Sequence, residues 1–233
     1  MDAEHALGRL YAPDPRDSRY PLRLGLQALP PPVELPVNRY WRVGRPVLDQ
    51  NGYPHCVAYA WKQWLMASPL RQGHKVNEEK IYREAQLLDE WPGENYDGTS
   101  VRAGAKVLQQ RKYISNYLWA TTIAEVKQWI LAYGPVVAGT NWYAAMSNPY
   151  LSKRGETYGY WVKPEGALLG GHAFALTGYS LIRKAFRGLN SWGLAWGEEG
   201  KFWIAEEHLE QLMLEDGEVC TATELKILPN NVV

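Results

Sequence analysis

Near Thr122 this sequence changes its period, and that change limits the folds open to it. Before that point apolar residues recur at helical spacing: Val57, Ala60, Trp61, Trp64 and Leu65 mark one such stretch, which ends at Ser68 and Pro69. A second helix is expected to open at Asn77 and run through IYREAQLLDEW. A third opens at Ser100, a good N-cap, and continues through VRAGAKVLQQR despite Gly104. The run from Thr122 to Glu125 has the capping-box pattern and starts one more helix through Tyr133, where Gly134 and Pro135 end it. Beyond Pro135 the segments PVVAGTN, HAFALTGYSL, KAFRGLNSW, GKFWIA and TATELKIL are rich in β-branched and aromatic residues and are separated by Gly-containing turns, so they read as strands. Helices first and antiparallel strands later predict an α+β chain of two lobes with a cleft where they meet.

The 233 residues, 46% of them hydrophobic, suit one domain with two lobes. Residues 1–36 carry the proline clusters PDP, LPPP and ELP together with Pro21 and read as an extended strap, expected to pack on the β lobe away from the cleft. Residues 37–233 form the main domain, its helical lobe at about 45–115 and its β lobe at about 116–228. With 25 basic and 25 acidic residues the chain has no net field to attract nucleic acid or an anionic membrane. Two cysteines cannot build a disulfide framework, and with five scattered histidines they show no zinc-finger spacing. The N-terminus lacks a basic head followed by an apolar run, and no stretch of about 18 apolar residues occurs, so no signal peptide or membrane span is expected. A cytoplasmic or virion-associated protein fits that reading.

Four residues carry the chemistry. Cys56 follows a Gly-containing turn and opens a helix, with Gln50 six residues before it; His172 lies in GGHAF and Asn190 in NSWG. A thiol is a poor nucleophile until ionised, and a helix N-terminus together with an imidazolium lowers its pKa below neutrality. His172 would take the proton and later give it to a leaving amine. Asn190 would hold the imidazole, and the Gln50 side chain with the Cys56 backbone N–H would stabilise a tetrahedral oxyanion.

At these positions the chain resembles the papain-like cysteine peptidases. LDQNGYPHCVAYA is similar to that family's turn from Gln to Cys, GGHAFALTGYS to its catalytic-His strand, and NSWGLAWGEEGKFWIA to its Asn-Ser-Trp-Gly run. The resemblance implies a helical left lobe, a β-barrel-like right lobe, a Cys-His-Asn triad, no metal and no organic cofactor, and Trp192 covering the His–Asn bond. It also implies that Asp97, Gly98 and Thr99 line one wall of the cleft and Gly171 the other, with Gly139 to Trp142 closing the pocket for the second side chain upstream of the cut. The expected partner is a peptide or protein substrate, with a protein inhibitor or assembly partner as a further one. The chain departs from the family at Pro54, His55 and Val57, which replace the usual neighbours of the cysteine. The Cys–His separation is 116 residues, short of the roughly 130 expected, and Cys–Asn is 134.

Three functions are open on this reading: a peptidase, a thiol amidase or transpeptidase on cell-wall or isopeptide bonds, and a non-catalytic shell that binds or builds. Blander roles fall to the remaining residues. His55 is assigned to the cleft rim or to packing, His74 and His208 to solvated stretches, and Cys220 to a buried inert thiol. Of the eleven tryptophans only Trp91, Trp142 and Trp161 are expected as surface binders, and KRGETYGYWVKPEG reads as a solvated connection, with a lid or a partner contact as the alternative.

Overall fold

A computed structural model describes residues 6–30, 34–73, 76–91, 93, 95–154 and 157–224. The proline-rich N-terminal segment is only partly extended. Pro15–Arg19 forms a 3-10 turn capped by the Asp14 side chain, and Leu22–Ala28 forms a helix, α1. The prolines permit this because they precede rather than interrupt: Pro15 opens the 3-10 turn and Pro21 immediately precedes α1, where a missing N–H costs no helical bond. The expectation of a wholly extended strap is corrected on that point.

Four helices follow: α2 is Cys56–Met66, α3 is Glu78–Gln86, α4 is Val101–Gln110 and α5 is Ile123–Ala132. Of these, α2 starts at Cys56 without a side-chain cap, and the other three start at a capping side chain. The side chains of Asn77, Ser100 and Thr122 accept the N–H groups of Lys80, Ala103 and Glu125 in turn. The Glu125 carboxylate reaches back to the Thr121 N–H, one residue earlier than a full capping box would have it. A last helix, α6 at Glu206–Leu214, has no counterpart in the sequence expectation; it buries Leu209 and Leu212.

Nine strands form one sheet among the described residues. They are β1 Asn38–Tyr40, β2 Ile114–Ala120, β3 Val136–Tyr143, β4 Tyr150–Arg154, β5 Thr157–Val162, β6 Leu168–Ser180, β7 Ala185–Leu189, β8 Lys201–Ala205 and β9 Glu218–Glu224. Their order is β2-β9-β3-β6-β7-β8-β5-β4, with β1 on β6, and every pairing is antiparallel except β5 with β8. The fold is α+β. Where a solvated connection was expected before His172, β4 and β5 pair as a hairpin from Tyr150↔Trp161 to Arg154↔Thr157.

Two cores flank the sheet. One gathers the helical lobe around Trp61, Trp64, Leu65, Ile81 and Leu108, and reaches Val137 and Ala173 on the sheet. The other lies beneath the β lobe around Trp142, Phe174, Tyr179, Phe186 and Phe202. Strand β6 serves both, because alternate residues face opposite sides: Ala173 packs with α2 while Phe174 packs with Trp142. Trp142 and Trp161 are fully buried, which overturns their assignment as surface binders; each ring packs against another tryptophan. His208 is half-buried rather than solvated, and burial lowers its pKa. Cys220 is fully buried, with its thiol pushed far up by desolvation. His74 lies outside the described residues. Among the described residues no helix is long and apolar enough to cross a membrane.

Candidate active site

Cys56 is the first residue of α2, so its sulfur sits at the end of the helix where backbone N–H groups are unpaired. The backbone N–H of Ala173, the residue after His172 in β6, is one of the groups that pull the Cys56 thiol's pKa down. His172 is buried, and its Nε2 lies 2.7 Å from Asn190 Oδ1. That oxygen also accepts the Ser191 N–H at 2.8 Å, which fixes its orientation. The imidazole is boxed by two indoles: Trp192 and Trp142 each lie 4.7 Å from it, Trp192 tilted at 34° and Trp142 edge-on at 66°. Trp192 therefore packs on the histidine.

Gln50 is buried between the lobes. Its Oε1 accepts the Ser191 hydroxyl at 2.7 Å and its backbone N–H reaches the Ser191 carbonyl at 2.8 Å. Its Nε2 donates to the carbonyls of Tyr53 at 2.6 Å and Ala6 at 2.8 Å. From α2, Gln63 donates to the Asn190 carbonyl at 2.9 Å, tying the helix of the cysteine to the loop of the asparagine. Gln63, Ser191 and the positioning part of Trp142 were missed by sequence reasoning. Ser191 stood inside the NSWG run, whereas a helical Gln carries no local mark of such a contact.

The N-terminal segment lies in the cleft, not away from it. Ala6 meets Gln50, and the Gly8 N–H is among the groups that pull the Cys56 thiol's pKa down. The Thr99 N–H donates to the Gly8 carbonyl at 2.9 Å, the Arg9 N–H to the Gly171 carbonyl at 3.0 Å and the Leu10 N–H to the Thr99 carbonyl at 2.9 Å. Arg9 and Thr99 thus pair as a parallel bridge. A glycine is required at position 8 because a Cβ there would stand 2.0 Å from the Pro54 carbonyl oxygen. The segment was misplaced because its prolines signal extension, while what docks it is a run of backbone bonds that sequence composition does not display.

This occupation explains the state of the thiol. Cys56 is 0% exposed, and burial pushes its pKa up to about 11, against the pull of N–H bonds from Ala173, Gly8 and Val57 and the charge of Arg9. The expectation of a thiol ionised below neutrality does not hold with the segment in place, because desolvation outweighs the helix end.

The expected walls of the cleft are placed unevenly. Thr99 and Gly171 both hold the segment, and Gly98 supports that edge with φ at 101°, a backbone state that favours glycine. Its N–H donates to the Tyr82 hydroxyl at 2.9 Å. Asp97 is exposed and is not among the segment's partners. His55 stacks between Tyr82, at 3.8 Å, and Tyr53, at 5.5 Å, with its pKa lowered by burial; it packs the rim.

Neither a protein-family model nor a curated protein sequence matches the chain. Solved structures do. Xylellain, a cysteine protease from Xylella fastidiosa, superposes with a TM-score of 0.69 at 20% identity, over 97% of this chain and 99% of that one. Digestive procathepsin L2 from Tenebrio molitor larval midgut gives 0.65 at 17% identity, over 95% and 79%. The procathepsin B S9 of Trypanosoma congolense gives 0.59 at 15% identity, over 95% and 87%. Along nearly its whole length, then, the chain has the papain-like cysteine-protease fold.

Proposed function

We propose that the chain is a cysteine peptidase acting through Cys56, His172 and Asn190, with residues 6–10 closing its cleft in the state described above. One observation carries the reading: the groove over Cys56 already binds an extended peptide, its own, through backbone bonds to Thr99 and Gly171 and a carbonyl bond to Gln50. A surface that grips main chain independently of side-chain identity suits a polypeptide substrate.

The geometry supports a distinct part for each group. With Nε2 turned to Asn190, the other ring nitrogen, Nδ1, exchanges the proton with sulfur. The thiolate adds to the substrate carbonyl, and the oxyanion meets the Gln50 Nε2–H and the Cys56 N–H. The intermediate collapses to an acyl thioester, and the departing amine takes its proton from His172. Water, with His172 as base, then hydrolyses the thioester and regenerates the thiol.

Cleavage of an unstructured peptide by a Gly8→Ala chain, in which the segment must lift away from Pro54, tests this. Activity that disappears in Gly8→Ala/Cys56→Ala and survives a chelator is expected. Activity persisting without Cys56 would end the proposal. A non-catalytic shell has one observation in its favour, the full burial of Cys56. It requires Cys56 to resist an irreversible thiol probe even in Gly8→Ala.

A further inference from the structure

On the β lobe, aromatic rings and guanidinium groups alternate along a ladder. At its centre Trp161 of β5 and Trp203 of β8 are register partners whose rings stack with centroids 6.0 Å apart. Arg154, the last residue of β4, lies over Trp161 at 4.4 Å. Arg183, in the turn between β6 and β7, lies over Trp203 at 4.5 Å and over Trp161 at 6.0 Å. Arg187 of β7 stands 5.8 Å from the Trp203 ring and 5.8 Å from that of Tyr40. Arg183 is held down, its Nη2 donating to the Thr157 hydroxyl, and Gly159 leaves it the space: a Cβ there would stand 3.0 Å from Nη1 and 2.7 Å from Trp203 Cδ1. A hollow of about 620 Å³ opens over the ladder, with the three arginines, Trp203 and the exposed rings of Tyr40 and Tyr158 in its walls.

The charges in this hollow do not balance. All three arginines are half-buried. Glu198 is the one acid among the described residues that line it, 3.5 Å from Arg187 Nη2, so three positive charges meet one negative and two are in excess. Among the described residues Arg183 Nη1 and Arg187 Nε are buried and have no acceptor. Ring faces attract the cations and hold them in place, but they do not accept the in-plane N–H bonds that a guanidinium offers. Like charges gathered partly out of water repel, and an anion among them relieves that repulsion. We propose that the hollow is a binding site for a small molecule bearing a phosphate monoester on a ring. At pH 8 such a group is a dianion, so its charge matches the excess, and its oxygens accept paired bonds from guanidinium forks. The ring packs against Tyr40 and Tyr158, whose exposed faces line the same hollow. The site uses neither Cys56 nor the N-terminal segment, so it stands apart from the peptidase reading.

Isothermal titration calorimetry of the full chain, at pH 8 and fixed ionic strength, tests this with phenyl phosphate, phenyl sulfate and glycerol 3-phosphate. Phenyl phosphate is expected to bind about tenfold more tightly than phenyl sulfate, which carries the ring with a single charge, and about threefold more tightly than glycerol 3-phosphate, which carries the dianion without a ring. Arg183→Gln and Arg154→Gln should each weaken phenyl phosphate about tenfold, and Arg183→Lys, which keeps the charge and loses the fork, should weaken it less. Arg16→Gln, at an exposed arginine paired with Asp14, should leave binding unchanged. A circular-dichroism melt checks that each variant is folded, and Arg154→Gln, at a strand end, carries the comparison if Arg183→Gln does not fold. No binding of phenyl phosphate at millimolar concentration, or equal binding by the parent and both glutamine variants of the ladder, would overturn the proposal. Phenyl sulfate bound as tightly would overturn the match of charge, and glycerol 3-phosphate bound as tightly would overturn the part given to the two tyrosines.

Discussion

The side-chain nitrogen of Gln50 donates to the carbonyl oxygen of Ala6 at 2.8 Å, so the group assigned to receive a reaction's oxyanion already holds a carbonyl of its own chain. Ala6 is the outer end of a short run whose next residues include Gly8, beside the sulfur, and Arg9, paired with Glu218. Closing the site and satisfying it are thus achieved by the same five residues.

Lifting that run is expected to make Cys56 reactive. Burial raises the thiol from 9.0 to about 11, so with the segment seated the thiolate is a minor species at neutral pH. Resolvation in Gly8→Ala removes the dominant raising influence, and the pKa must fall. The pH–rate curve for iodoacetamide alkylation of Cys56 should shift to lower pH in the variant, with Cys220 unreactive in both. An unshifted curve would mean that the segment does not control the sulfur.

Arg9→Ala should open the segment by another route. Removing one partner of a buried ion pair typically costs about 3 to 5 kcal/mol, because the other charge is left without compensation. The bonds to Thr99 and Gly171 are backbone bonds and remain available, so part of that loss is retained by the main chain. Peptide turnover by the full chain should rise at least tenfold in Arg9→Ala, while Arg16→Ala, an exposed arginine paired only with Asp14, leaves it unchanged. Equal effects from the two would indicate a general loss of stability instead of release.

In the Gly8→Ala background, Gln50→Ala should lower kcat about 10²- to 10³-fold with a smaller change in KM, the cost of one lost oxyanion donor. Gln50 also bonds Ser191 and Tyr53, so its loss disturbs the join between lobes. A circular-dichroism melt separates that disturbance from the catalytic one: a kcat loss with an intact cooperative transition supports the oxyanion part.

How far the sequence could be read follows from what each signal is made of. Helix α2 was legible from the helical spacing of its apolar residues, α3 to α5 because Asn77, Ser100 and Thr122 are local caps, and the long strands because β-branched and aromatic residues cluster between Gly-containing turns. The 2.7 Å contact between His172 and Asn190 is a close approach that their two motifs anticipate. Where the determinant is non-local, reading failed. Trp142 gives no hint in sequence that Trp192, Trp196 and Phe202 will enclose it, and the docking of residues 6–10 depends on backbone groups of Thr99 and Gly171 far along the chain. Glu218 was not singled out at all, since a glutamate at the start of a strand becomes notable only once Arg9 is seen against it.

Trp142 supplies a stability prediction. Its ring packs against His172, Phe174, Trp192, Trp196 and Phe202, so Trp142→Ala removes the centre of an aromatic cluster. A loss of about 3 to 5 kcal/mol is expected from chemical denaturation. Trp142→Phe should restore most of it.

Glu218 makes the fold's stability depend on pH with a definite sign. Its pKa is raised from 4.5 to about 7, first by burial, with Arg9 and Arg102 pulling it down and Asp17 pushing it further up; Tyr11 and Cys220 also feel its charge. A carboxyl that prefers its neutral form in the folded state binds more protons there than in the unfolded chain. Its favourable contribution is therefore complete below about 4.5 and is lost as pH rises through about 7. The full difference is of order 3 to 4 kcal/mol, taking each pKa unit as about 1.4 kcal/mol. Urea midpoints measured at pH 5 and pH 8 should fall more for the parent chain than for Glu218→Gln, whose amide cannot ionise. An identical fall in the two would mean that another group sets the slope, and that Arg9 fully compensates the buried charge.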